Sequence, residues 1–200
     1  AVKVQGALGP SKSMAFDINA ACSGFIYGLE VAWNFIKSGS YKNILLIGAE
    51  SMSKVVDWSD RSTCVLFGDG AGAVVLSTRF DENFDNAKSG IIASKMFTDG
   101  SYRDLLYIPG HPQAENFLAM EGNRVFKHAV TYLQEAVTEV LAGIDGITSS
   151  DIDWLIPHQA NLRIIAAAAK KLKLSMDKVV LTLPEHGNTS AASVPLALDV

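Results

Sequence analysis

Strands alternating with helices along the whole chain predict an α/β fold. Two observations carry the prediction. Short apolar runs bounded by Gly, Pro, Asn or Ser recur, and between them apolar residues return at helical spacing. No tandem repeat or low-complexity linker interrupts the alternation.

Residues 14–18 are the first predicted strand. They feed Asn19-Ala20-Ala21-Cys22-Ser23-Gly24, after which Phe25, Leu29, Ala32 and Ile36 share one helical face that Ile26 and Trp33 widen. A helix apolar nearly all round is a buried one, and Gly39 suits its C-terminal stop. Residues 43–48 read as a buried strand. Residues 64–67 and 71–77 read as two strands joined by Gly68-Asp69-Gly70, and residues 91–95 as another. Residues 99–116 look like an irregular loop. Phe126, Val130, Leu133, Val137 and Leu141 mark a long amphipathic helix. Residues 153–156 read as a strand closed by Pro157. Leu162, Ile165, Ala169 and Leu172 line the next helix, residues 179–183 the last strand, and a helix starts at Thr189. Such strands are expected in a parallel sheet, buried on both faces. The polar stretch 79–88 is the expected seam, dividing the chain into halves 1–84 and 85–200.

Bulk properties exclude several function classes. The 200 residues, 48% hydrophobic and 19% charged, are ordinary for a globular protein and enough for one or two domains. A net charge of −4 offers no global basic field for nucleic acid. No apolar run reaches the roughly 18 residues that cross a bilayer, so no membrane association is expected. Cys22 and Cys64 form no CxxC pair, and no histidine stands at metal-ligand spacing to them. Reduced thiols and a cytoplasmic location are the expectation, with no metal.

Three residues could carry chemistry. Cys22 sits where a helix begins, beside unpaired N–H groups and the positive end of the helix dipole, both of which favour thiolate. Ala20, Ala21, Ser23 and Gly24 leave room beside the sulfur. Position and neighbours alone leave a nucleophile and a buried core cysteine level. Cys64, inside an apolar run, reads as core. His158 and Asn188 each follow a predicted strand, where α/β folds place their sites. Taken singly, a structural histidine and a helix-capping asparagine explain them better. His111, His128 and His186 read as structural. Gly68-Asp69-Gly70-Ala71-Gly72-Ala73 fits a dinucleotide fingerprint on paper, but Val74-Val75-Leu76 continues as strand where that motif needs a helix. A glycine-rich turn between strands is the expected account. Arg163 and Lys170, about two turns apart, share a helix face. That face is a solvated surface or a seat for an acidic protein.

The motifs together narrow this. Asp17-Ile18-Asn19-Ala20-Ala21-Cys22-Ser23-Gly24-Phe25, Phe67-Gly68-Asp69-Gly70-Ala71-Gly72-Ala73, Pro157-His158-Gln159-Ala160-Asn161 and His186-Gly187-Asn188-Thr189-Ser190-Ala191-Ala192-Ser193 stand in an order and spacing that closely resembles the β-ketoacyl-acyl carrier protein synthase III family. The resemblance runs over essentially the whole chain. It implies a thiolase-like layered α-β-α-β-α sandwich of two similar halves, here truncated at both ends. It implies an acyltransferase that needs no cofactor. Cys22 takes an acyl group from acyl-coenzyme A; His158 and Asn188 promote decarboxylation of malonyl-acyl carrier protein; Claisen condensation gives a 3-oxoacyl-acyl carrier protein. By the same resemblance Arg61, Asn123 and Asn161 contact coenzyme A. Arg163 and Lys170 dock the carrier protein. Phe67, Leu105 and Leu106 line the acyl pocket, and the enzyme is a homodimer. The family's opening and closing segments lie beyond Ala1 and Val200, so the isolated chain is expected to be inactive. A sister condensing enzyme making a polyketide or hydroxymethylglutaryl thioester shares the Cys–His–Asn layout, though the run from Gly187 to Ser193 and the Arg163 helix favour the fatty-acid type. A non-catalytic module that binds coenzyme A or a carrier protein is a rival of a different class, and a Cys–His hydrolase is a third. The hydrolase lacks an acidic or amide partner beside His158 in sequence.

Overall fold

The computed structural model describes residues 1–78, 90–110 and 116–200. Its centre is an antiparallel ribbon. β1 (Asn43–Ser51) pairs with β2 (Asp69–Ser77) so that Asn43 lies opposite Ser77 and Ser51 opposite Asp69. Side-chain bonds fasten both ends. Ser77 Oγ donates to Asn43 Oδ1 at 2.7 Å, and Asp69 accepts from the N–H and hydroxyl of Ser53 at 2.7 and 2.6 Å. Burial alternates along both strands, as period-two side chains on a half-covered ribbon require.

The covered face is built for close approach. α1 (Val2–Leu8), which no periodicity in the sequence announces, buries none of its residues. α2 (Gly24–Lys37) buries Phe25, Gly28 and Ala32 and rests on Leu46 of β1. A Cβ at Gly48 would stand 2.6 Å from the Ala191 carbonyl oxygen, and one at Gly72 2.9 Å from Leu196 N. Glycine is what lets the chain around residues 190–196 lie directly on the ribbon.

The rest of the described chain is mostly helices and connecting loops. β3 (Leu106–Tyr107) and β4 (Ala119–Met120) form a short antiparallel pair. α3 (Gly122–Leu141) packs on α4 (Leu162–Lys171), whose Ile164, Ile165, Ala168 and Ala169 are buried. Ile165, Ala169 and Val179 form a core cluster flanked by Leu155, Leu174 and Leu181. α5 (Leu183–His186), a 3-10 turn at Ser190–Ala192 and α6 (Ser193–Leu198) follow.

The three long predicted helices are present; α3 starts at Gly122, ahead of the periodic residues. Gly39, at φ +75°, closes the chain after α2 as expected. Several strands need correction. Residues 14–18 and 91–95 form none, because no described backbone takes up their ladder. Residues 64–67 turn instead: Thr63 and Cys64 N–H both return to the Asp60 carbonyl, and Leu66 N–H to Thr63. The expected turn at Gly68-Asp69-Gly70 is therefore wrong, since Asp69 and Gly70 already belong to β2, and the two glycines lie close against His186, Thr189 and Leu196. Residues 153–156 and 179–183 shrink to one parallel bridge, Leu155 to Val179, before Leu183 opens α5. The 99–116 loop contains a 3-10 segment, Gly100–Leu105, and β3. The main ladder is antiparallel, not parallel, and its outer face is open: Val75 is 69% and Leu45 45% exposed. α2 is likewise buried on one side only, with Ile26 at its surface. The seam at 79–88 and His111 lie outside the described residues.

Candidate active site

One six-residue segment gathers the three candidate residues. Running from Asn188 to Ser193, it carries Asn188 itself, lays Ser190 against Cys22 and holds His158 through Ser193.

Cys22 lies in a 3-10 turn, Ala21–Ser23, that leads into α2 and packs on the Ser190–Ala192 turn. Both turns begin on a non-glycine residue in the left-handed region, Ala21 at φ 46° and Ser190 at φ 50°. Such backbone costs about 1–3 kcal/mol per residue and collects at sites where the fold over-determines it. The thiolate expected from the helix start meets an opposing effect that is larger. Desolvation by burial raises the thiol above its ordinary value, a hydrogen bond with Ser190 pulls it down, and the Glu50 carboxylate adds to the rise.

His158 Nδ1 lies 2.6 Å from Ser193 Oγ. The same oxygen accepts the Gln159 N–H at 3.3 Å. With Ser193 O–H as the donor to Nδ1, the imidazole carries its own proton on Nε2. Burial drives the His158 pKa down to about 4, which keeps the ring neutral at physiological pH. Gln159, fully buried, fixes the loop: its amide donates to the Pro157 and Val180 carbonyls at 2.9 and 3.1 Å and accepts Thr182 N–H at 2.9 Å.

Asn188 is buried, and its backbone is sewn to the neighbouring loop by Asn188 N–H to Leu66 and Gly68 N–H to Asn188, at 2.8 and 3.0 Å. This sets Phe67 beside it. Its Oδ1 accepts the Ser190 N–H at 3.0 Å, leaving Nδ2 as a free donor among the described residues. Two neutral donors, His158 Nε2–H and Asn188 Nδ2–H, are thus anchored through one segment that also touches the thiol. Together they are equipped to stabilise an oxyanion.

The remaining predicted residues are dispersed. Arg61 is exposed in the turns after Asp60, and Asn123 in the first turn of α3. Asn161 caps α4, its Oδ1 accepting Arg163 N–H at 2.9 Å, which is the capping role an asparagine commonly takes. Arg163 is exposed with its guanidinium 5.4 Å over the Phe126 ring, and Lys170 is exposed on the same helix. Leu105 is buried whereas Leu106 is 36% exposed, so the two do not share one wall. A cavity of about 430 Å³ between α2 and the end of α3 is lined by Ile26, Leu29, Glu30, Ile92, Val140 and Ile144, and touches none of the three candidates. Among the described residues no cluster of three or more His, Cys, Asp or Glu could hold a metal ion, and no helix is long and apolar enough to cross a membrane. Three neighbours of the candidate residues were not singled out from the sequence: Glu50, Ser190 and Ser193. The two serines follow Asn188 in its motif; Glu50 carries no local signal.

The ribbon, the helices on its glycine face and the gathered Cys, His and Asn define the thiolase-fold class. Residues 16–100 match the model of 3-oxoacyl-acyl carrier protein synthase III, and residues 144–200 match the model of its C-terminal part. The chain belongs to the 3-oxoacyl-acyl carrier protein synthase III family. It is 54% identical to the β-ketoacyl-acyl carrier protein synthase III of Rhodospirillum centenum over 99% of its own length and 61% of that relative's. Among solved structures it resembles the 3-oxoacyl-acyl carrier protein synthase III of Aquifex aeolicus, with TM-score 0.90 and 49% identity, and that of Pseudomonas aeruginosa, with TM-score 0.92 and 43% identity. Each comparison covers 100% of this chain and 61% of the solved one. The chain therefore spans about three fifths of the length of these relatives.

Proposed function

We propose that the protein carrying this chain is an acyltransferase that condenses an acyl-coenzyme A with malonyl-acyl carrier protein. The segment joining Asn188, Ser190 and Ser193 carries the reading, because it ties a nucleophile and two neutral donors into one unit. Cys22 attacks the acyl-coenzyme A thioester; a Cys22–acyl bond forms and coenzyme A leaves as its thiol, taking the proton that Cys22 gives up. Malonyl-carrier then binds with its thioester carbonyl toward His158 Nε2–H and Asn188 Nδ2–H. Loss of carbon dioxide puts negative charge on that oxygen, where the two donors are strongest. The enolate carbon attacks acyl-Cys22, the sulfur departs as thiolate, and a 3-oxoacyl-acyl carrier protein is released. A hydrolase is disfavoured because the His158 partner is a serine hydroxyl, which does not stabilise an imidazolium as a carboxylate would.

The wider reading follows the family. Arg61, Asn123 and the amide nitrogen of Asn161 contact coenzyme A. Arg163 and Lys170 meet the acidic carrier, and Phe67, Leu105 and Leu106 border the acyl chain. The two halves, 1–84 and 85–200, contribute the cysteine and the His–Asn pair respectively. The protein works as a cytoplasmic homodimer without a cofactor. Intact mass spectrometry with acetyl-coenzyme A tests the core claim. One acetyl group is expected on the protein, lost in Cys22→Ala and retained in Cys64→Ala. Acetylation that survives Cys22→Ala overturns the assignment. Turnover of malonyl-carrier against acetoacetyl-coenzyme A then separates this reaction from that of a sister condensing enzyme.

A further inference from the structure

Glu50 stands at the end of β1 with its carboxylate turned into the site. Oε1 accepts from Ser190 Oγ at 3.1 Å and from Ala191 N–H at 3.4 Å. Ser190 is buried, at 4% exposure, and its turn packs on the one that holds Cys22. Gly24, two residues after Cys22, faces Ala191 closely enough that an added Cβ would touch it at 3.5 Å. Glu50 is thus bonded to Ser190, whose turn packs on the one that holds Cys22, and Ser190 owns a single proton.

We propose that Glu50 and Ser190 set the protonation of Cys22, with the Ser190 proton directed to Glu50 while Cys22 is a thiol and turned to the sulfur when Cys22 is a thiolate. In the resting arrangement Cys22 S–H donates to Ser190 Oγ and Ser190 O–H donates to Glu50. Thiolate is present when the S–H proton has been lost to water, and again when the C–S bond of acyl-Cys22 breaks on condensation; Ser190 then rotates and donates to sulfur. Glu50 keeps its bond to Ala191 N–H and so holds the turn throughout. Only the S–H bond breaks in the ionisation itself, with water taking the proton, and no other co-reactant is needed. The two residues act on sulfur with opposite sign: a carboxylate nearby repels the thiolate, whereas a hydroxyl stabilises it. Among the described residues the charges nearby are few. Glu30 and Lys37 lie further along α2, the Ser190–Ala192 turn carries none, and His158 is neutral. Both are positioning residues, since neither is placed against the substrate.

This inference rests on Cys22 being the acyl nucleophile, and its test does not. The experiment is the pH profile of iodoacetamide alkylation at Cys22 in the whole protein, read by peptide mass so that Cys64 is scored apart. The midpoint reports thiolate formation, whereas the rate also carries nucleophilicity. Glu50→Gln, which is isosteric, is expected to move the midpoint to lower pH by about one unit. Ser190→Ala is expected to move it up by a similar amount, lowering alkylation at neutral pH by about tenfold. Ser190→Gly also removes the hydroxyl and accepts the left-handed backbone without strain, so it serves should the alanine variant not fold. Midpoints that move in the same direction, or not at all, overturn the proposal, because a purely structural role has no reason to give opposite signs. Acetyl transfer is measured alongside. If Cys22 takes no acetyl group, the function reading fails while the alkylation profiles still judge Glu50 and Ser190.

Discussion

Replacing Ser193 by Ala isolates the histidine's contribution from the cysteine's. Ser193 is 1% exposed, and its hydroxyl bridges His158 Nδ1 and Gln159 N–H. Removing it takes away the bond that keeps the imidazole proton on Nε2. One such bond is worth about 0.5–1.5 kcal/mol net, and about 1.4 kcal/mol is a factor of ten. A drop of about tenfold in the decarboxylation step is therefore expected. That is less than the roughly 100- to 1,000-fold that losing an oxyanion donor outright costs, because the ring is still present and neutral. The buried Gln159 N–H also loses its acceptor, at about 1–3 kcal/mol of stability. The assay is carbon dioxide release from malonyl-carrier by pre-acylated protein, beside acetyl incorporation into Cys22, at a temperature where melting shows the variant folded. Slow decarboxylation with normal acylation is the expected result. Decarboxylation within about twofold of the parent, or acylation that falls in parallel, refutes the role given to Ser193.

Three further outcomes follow from the geometry. Because the His158 pKa is about 4 in the folded protein against the usual 6.5, the folded state binds fewer protons between those values, and stability falls as pH drops through that window. Chemical denaturation at neutral and mildly acidic pH should show a steeper loss in the parent than in His158→Gln, and equal slopes would contradict a buried neutral ring. Gly48→Ala forces a Cβ to 2.6 Å from the Ala191 carbonyl, so it should destabilise by about 1–3 kcal/mol and suppress acylation; Gly6→Ala, with open space around it, should be neutral or slightly stabilising. Arg163→Glu should raise the KM for malonyl-carrier, most at low salt, and leave acyl transfer from coenzyme A unchanged; a salt-independent KM would return that helix face to solvent.

What the sequence made legible follows a physical division. The long helices were legible because apolar residues at helical spacing must find a neighbour whatever the rest of the chain does. The strands were less so. β1 was readable from Asn43 to Gly48, yet residues 14–18 and 91–95 looked as apolar and form no ladder. An apolar run states that a segment wants burial, whereas a strand also requires a second backbone beside it. The glycines of the Gly68–Gly72 stretch misled in the same way. Their smallness answers to Leu196 and Thr189, more than a hundred residues further on, and no local rule connects them.

The candidate site shows the same division at the level of single side chains. Cys22, His158 and Asn188 could be found because each sits at the end of an element and inside a dense motif. Ser190 and Ser193 stood in plain view in the Asn188 motif, but a serine near a helix start is usually a cap, and neither caps here: Ser190 faces Cys22 and Glu50, and Ser193 faces His158. What distinguishes them is the direction of their hydroxyls, which is set by Gly48 and Gly72 letting this segment lie flat on the ribbon. Glu50 was invisible because its partner is 140 residues away. The consequence for mechanism is specific. Since one segment positions Asn188, touches Cys22 and orients His158, a displacement of that segment perturbs acylation and decarboxylation together, whereas a change at Ser190 or Ser193 alone separates them.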